Sequence, residues 1–249
     1  YEGQLSDVRT GWSATYEKKT NETSPDRSDL DGLTAAIEGP DGGAIAAIVG
    51  LDAFLTFWAM EALTGAWDGY TSNLNNHYIY HDPTTGKFFY LPWGPDLSLT
   101  TDDPFHGSSR PQSLSATGSL PRRLLDLPGS GEQYAARMTQ LLGTVWKESE
   151  ILAEIDRLEA LLGPLVTDAH LQQVFTDQLA QIRGFVTERR ATITAELAGG
   201  TPAWPFAPLP LTCMTLAGTM TGAFSTTFGT VDDMNPLGTG TGALDLAFT

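Results

Sequence analysis

Between residues 51 and 91 the chain changes once from helical spacing to β-prone sequence, with a polar stretch at the change. Leu51, Phe54, Leu55, Trp58, Ala59 and Ala62 recur at i, i+3, i+4, i+7, i+8 and i+11, which sets them on one stripe of a helix ending near Thr64-Gly65. That stripe reads as core. His77-Tyr78-Ile79-Tyr80 and Lys87-Phe88-Phe89-Tyr90-Leu91 flank His81-Asp82-Pro83-Thr84-Thr85-Gly86, whose Pro and Gly signal a turn, so a hairpin is expected. A helix must therefore feed a hairpin through the polar residues 68–76.

The rest of the chain is read around this unit. Residues 12–18 alternate well enough for a short strand, and an Asp-rich start leads into a short helix over 29–38 that Gly39-Pro40-Asp41-Gly42-Gly43 stops. Residues 97–122 are rich in Ser, Thr, Asp, Pro and Gly without periodicity, which predicts a long loop. Three helices are expected next: residues 132–147, one with Ile151, Ile155, Leu158 and Leu162 on a face, and a long one carrying Leu171, Val174, Phe175, Ile182, Phe185, Val186, Ile193 and Leu197. From Gly199 onward Pro202, Pro205, Pro208 and Pro210 suggest a linker leading into β-structure or disorder. The expected organisation is α+β: an active-site region over 1–118, a helical bundle of the same domain over 119–198, and a Pro/Gly/Thr-rich segment over 199–249.

Composition narrows the partners. A hydrophobic content of 41% is ample for a core, and the formal charge of −16 repels nucleic acid and anionic membrane surfaces. No run approaches the roughly eighteen apolar residues of a membrane span, and no signal peptide is visible. The lone Cys213 cannot close an intrachain disulfide. The first residue is Tyr1, not Met, so the chain is expected to be a piece of a longer polypeptide.

In the stretch 67–80, Asp68 and Asn73 stand five positions apart, after a helix and before a hairpin. Phosphoryl transfer needs a carboxylate to orient the attacking hydroxyl and accept its proton, with a neutral oxygen ligand and a second carboxylate to hold magnesium. Asp68, Asn73 and Asp96 are the candidates for these tasks, in an order protein kinases share. The competing reading of the spacing is structural: Asp68 and Asn73 cap turns, and Asn75 and Asn76 tolerate left-handed backbone.

The combination of a helix, Trp67-Asp68-Gly69-Tyr70, Asn75-Asn76-His77-Tyr78-Ile79-Tyr80, Asp82-Pro83 with Gly86-Lys87, and Leu91-Pro92-Trp93-Gly94-Pro95-Asp96 resembles the spore coat protein H (CotH) kinase family. Tyr1-Glu2-Gly3 with Ser6-Asp7 resembles the family's segment just after its nucleotide-binding lobe, and Phe185-Val186-Thr187-Glu188-Arg189-Arg190 its closing bundle, so the likeness covers roughly residues 1–198. The resemblance implies an atypical, kinase-like C-terminal lobe with a hairpin at its active site. It also implies ATP, Mg2+ or Mn2+, Ser/Thr protein substrates, and a secreted or cell-surface setting such as a spore coat. It makes Asp68 the catalytic base, Asn73 or Asn76 a metal ligand, and Asp96 the principal metal ligand.

The chain departs from that pattern twice. The family has an acid where Gly94 stands, and an aromatic-glycine pair where this chain continues Leu97-Ser98-Leu99-Thr100. The phosphate-binding lysine is expected upstream of Tyr1, since Lys18 and Lys19 lie after that lobe. These departures favour a rival reading, an inactive surface or adhesion module that binds a protein partner through the loop over 97–122. Other chemistries find less support: the histidines at 77, 81, 106 and 170 lack zinc spacing, the glycines over 218–242 have no basic residue beside them, and Arg122-Arg123 and Arg189-Arg190 read as solvated surface.

Overall fold

A computed structural model describes residues 1–209; Pro210, Cys213, the glycines over 218–242 and the expected further segment lie outside the described residues. Strand β1 (Glu2–Gly3) opens a three-stranded antiparallel sheet whose other members lie seventy-odd residues on. Residues 12–18, expected as a strand, instead form one turn of 3-10 helix at Ser13–Thr15, and only Glu17 bridges back to Glu2. The physical reason is that Trp12 and Tyr16, four apart, both turn inward, while the Arg27 guanidinium donates to the carbonyls of Ser13 and Tyr16 at 3.2 and 2.7 Å.

Helix α1 (Ser28–Glu38) carries Asp29 and Asp31 in its first turn, where acids complement the helix dipole, and it buries Leu30, Leu33 and Ile37. It stops at Gly39 as the sequence suggests, but a second short helix, α2 (Gly42–Ile48), follows at once. Its N-cap is Asp41, which accepts the Gly43 N–H at 2.8 Å. Helix α3 (Leu51–Thr64) ends on left-handed Gly65 (φ +65°). Phe54, Trp58, Ala59 and Ala62 of its predicted stripe are buried, joined by Phe57 and Leu63. A single turn, α4 (Tyr70–Asn73), then leads to β2 (His77–Asp82) and β3 (Lys87–Pro92), the expected hairpin, in the order β1-β2-β3. His77, Ile79, Phe88 and Tyr90 face inward, and Tyr90 meets Phe54 edge-on at 5.0 Å. Gly3 is required opposite His77, because a β-carbon there would stand 2.2 Å from the imidazole.

Residues 97–118 are irregular apart from a 3-10 turn at Gly107–Ser109, while 119–122, expected as loop, begin helix α5 (Ser119–Leu125). The loop is pinned: the Ser115 carbonyl accepts Trp58 Nε1 at 2.6 Å, and buried Asp7 accepts the Ser119 N–H and hydroxyl at 3.0 and 2.8 Å. Three further helices follow, α6 (Ser130–Thr144), α7 (Glu148–Leu162) and α8 (Ala169–Leu197). Trp58 of α3 packs on Tyr134 of α6 at 4.3 Å between ring centroids. Two predicted faces are only partly core. On α7 Ile155 is buried while Leu158 and Leu162 are exposed, and on α8 Phe185, Val186 and Ile193 are buried while Leu171 and Val174 are exposed, so the first half of α8 carries its apolar residues outside the core.

The arginine pairs are not solvated surface. Arg189 is 2% exposed and donates to the carbonyls of Ala62, Leu63 and Gln112; Arg190 donates to the carbonyls of Leu142 and Trp146. Arg122 reaches the Phe206 carbonyl and Arg123 those of Gly39 and Pro40. Residues 201–209 lie along the body, where Trp204 and Phe206 pack against the His106 ring and Thr201 donates to the Gly131 carbonyl at 2.6 Å. The observed class is α+β.

Candidate active site

The turn after Gly65 delivers Asp68 just ahead of α4, and the sharp turn after α4, with Leu74 and Asn76 at φ +59° and +48°, brings three asparagines back onto it. Asn73 Nδ2 donates to Asp68 Oδ1 at 2.6 Å and Asn76 Nδ2 to Oδ2 at 2.7 Å, with Asn75 Nδ2 bridging both oxygens at 3.2 and 3.3 Å. Left-handed backbone at Asn76 thus aims its amide at the carboxylate, whereas Asn75, expected to share that backbone, leaves it to Leu74, and α4 is capped by Gly69 and Leu74, not by Asp68 or Asn73. The structure brings together Asp68, Asn73 and Asn76, three of the four residues expected from sequence. Asp96 does not join them: it is exposed, and no hydrogen bond or ion pair engages it among the described residues.

Asp68 lies on the wall of a cleft of about 460 Å³ between the outer side of α3 and the segment after β3. Thr56, Phe57 and Met60 form one side, and Pro92, Trp93, Pro95 and Leu97 the other, with Asn76 and Gly94 beside the carboxylate. The walls are largely apolar and carry no lysine or arginine. Gly94, where the resemblance leads one to expect an acid, has φ +53°, and a β-carbon there would lie 3.4 Å from Asn76 Oδ1. Gly94 meets the cluster through its carbonyl, which accepts from Asn76 Nδ2 at 3.5 Å.

Two acids that sequence reading passed over hold this site. Glu61 of α3 is buried; its Oε1 accepts the Tyr70 N–H at 3.1 Å, and its Oε2 accepts the Thr71 N–H at 2.8 Å and hydroxyl at 2.7 Å. Burial pushes its carboxyl up to about 7, against the opposing pull of the Thr71 hydroxyl and the two backbone N–H groups. The signal was present: an acid four residues after Phe57 and three after Trp58 lies on the inward face of the helix. Asp103 is the second. It accepts the Ser72 hydroxyl at 3.1 Å, the N–H groups of Phe105 and His106, and His106 Nδ1 at 3.0 Å, with Arg110 at 3.2 Å. Burial raises its carboxyl, but the His106 ring and these N–H groups outweigh it and hold the group at about 2. No spacing marked Asp103 within the aperiodic loop.

His77 lies beneath the site, its Nε2 3.0 Å from the Tyr16 hydroxyl and its Nδ1 3.2 Å from the Asn75 carbonyl. Burial lowers it to about 3, so it stays a neutral ring that donates through one nitrogen and accepts through the other. Magnesium takes hard oxygen donors, and the amide oxygens of Asn73 and Asn76 are donors of that class. No three His, Cys, Asp or Glu side chains converge among the described residues.

No curated protein matches the chain. A family model described as CotH kinase protein matches residues 5–193, a span that contains Asp68, the three asparagines, Asp96 and the helical bundle. That span is well over half of the chain, which belongs to the CotH kinase family.

Proposed function

We propose that this chain is the kinase-like C-terminal lobe of an atypical protein kinase that moves the γ-phosphate of ATP to Ser or Thr of a secreted or cell-surface protein. The observation that carries the reading is the Asp68 carboxylate, held by three asparagine amides at the wall of a cleft. A group so fixed presents an oxygen to an incoming hydroxyl at little cost in reorganisation. Asp68 orients the acceptor hydroxyl and takes its proton as the oxygen bonds to the γ-phosphorus, while the bond from that phosphorus to the β–γ bridging oxygen breaks and ADP leaves. Asn73 and Asn76 would hold magnesium or manganese together with Asp96 from the exposed segment after β3. The bound ion would neutralise charge on the phosphates.

The test is transfer from labelled ATP, with magnesium or manganese, by the full-length protein beside Asp68→Ala and Asp96→Ala. The expected result is incorporation that falls by about a hundredfold or more in Asp68→Ala, the scale of losing a positioned proton acceptor, and that also falls in Asp96→Ala. Gly94 and the exposed Asp96 support one rival, an inactive module that binds a protein partner. Absent incorporation and absent nucleotide binding by folded wild-type protein would overturn the kinase reading in its favour.

A further inference from the structure

Helix α4 is a single turn of four residues, and its N-cap, Gly69, has no side chain to satisfy the first N–H groups. A helix this short is not stable on its own, since nucleation costs more than one turn of hydrogen bonds returns. Glu61 supplies what the sequence around Gly69 lacks. From the neighbouring helix it accepts the N–H of Tyr70 and of Thr71 and the Thr71 hydroxyl, standing where a capping side chain of α4 itself would stand. Gly69 is shaped to this acid, because a β-carbon there would stand 2.4 Å from Glu61 Oε1. At its other end α4 presents Asn73, which donates to Asp68. Glu61 therefore grips one end of a rigid turn whose other end fixes the carboxylate proposed to do the chemistry.

We infer that Glu61 is the positioning residue of this site: it lines the cleft but bonds neither Asp68 nor the asparagines, and it sets the Asp68–Asn73 geometry by capping α4 from outside. The inference rests on the kinase reading for its catalytic consequence, and on the hydrogen bonds alone for its structural one. Two substitutions separate these. Glu61→Gln keeps the volume but leaves one acceptor oxygen and turns an NH2 toward backbone N–H groups. Thr71→Val removes only the hydroxyl that the acid accepts.

In the full-length protein, amide hydrogen exchange over 69–76 and steady-state transfer are measured for both variants beside wild type. Glu61→Gln is expected to speed exchange at Tyr70 and Thr71 about tenfold or more, as local opening becomes easier. It is expected to lower kcat about tenfold or more, with KM for ATP and acceptor within about threefold, as misplacement of a reacting group does. Thr71→Val moves both in the same direction by less. A purely structural role would move the melting temperature and leave the kcat-to-KM split unchanged. Wild-type exchange and wild-type kcat in Glu61→Gln would overturn the inference. If wild-type protein transfers no phosphate, the kinase reading fails while the exchange comparison still decides whether Glu61 holds the turn.

Discussion

At Gly69 a β-carbon would collide with the Glu61 carboxylate, although the backbone there (φ −85°, ψ 178°) suits any residue. The demand for glycine is thus one of space and not of conformation. Gly69→Ala is expected to cost about 1–3 kcal/mol, the usual range for overpacking, read by denaturant unfolding. The same residue scale shows what the sequence could reveal. Asp68 and the asparagines stand within one short polar stretch, so spacing and resemblance together brought them into view. Asp96 is close to them in sequence yet exposed, because the turn at Gly94 carries the segment after β3 outward along the cleft wall. Asp103 acts on α4 across 31 residues, and a separation of that kind leaves no local pattern.

Among elements, those that satisfy themselves locally were legible: α1, α3 and the β2–β3 hairpin follow from period and turn residues. The short α2 was hidden by the two glycines that start it, and the turn at Ser13–Thr15 was misread because inward Trp12 and Tyr16 mimic alternation over a few residues. Arg189 shows the same limit. Its guanidinium, brought in by α8, closes the C-terminal end of α3 by accepting none and donating to the carbonyls of Ala62 and Leu63, 127 and 126 residues away. Paired arginines carry no mark of such use. Arg189→Leu would leave the carbonyls of Leu63 and Gln112 without this donor, while that of Ala62 keeps the Gly65 N–H, so a loss of about 2–4 kcal/mol is expected in denaturant unfolding, since each orphaned group costs about 1–3 kcal/mol.

For the molecule as a whole, two buried groups of opposite behaviour shape stability against pH. Glu61 has its carboxyl raised from 4.5 to about 7, so its contribution is full below pH 4.5 and is lost as pH rises through 7. His77 has its ring lowered from 6.5 to about 3, so its contribution is full above pH 6.5 and is lost as pH falls toward 3. Between 4.5 and 6.5 the two slopes oppose each other, and the Asp7 carboxyl, raised by burial, adds to the loss as pH rises above 3.8. Removing one titration exposes the other: in Glu61→Gln, stability should fall more steeply than in wild type as pH drops below 6.5, as measured by urea unfolding across a pH series. Below pH 3.8 protonation of Asp103, held at about 2, steepens the loss in either protein. The tie from Asp7 to Ser119 closes a span of 112 residues, and Ser72 waits on Asp103 from the far side of the hairpin. Contacts so distant in sequence form late and slowly. A ribosome that has released only the hairpin therefore holds Asp68 and its asparagines without Asp96 or Asp103, and the Asp7–Ser119 tie closes only once α5 has emerged.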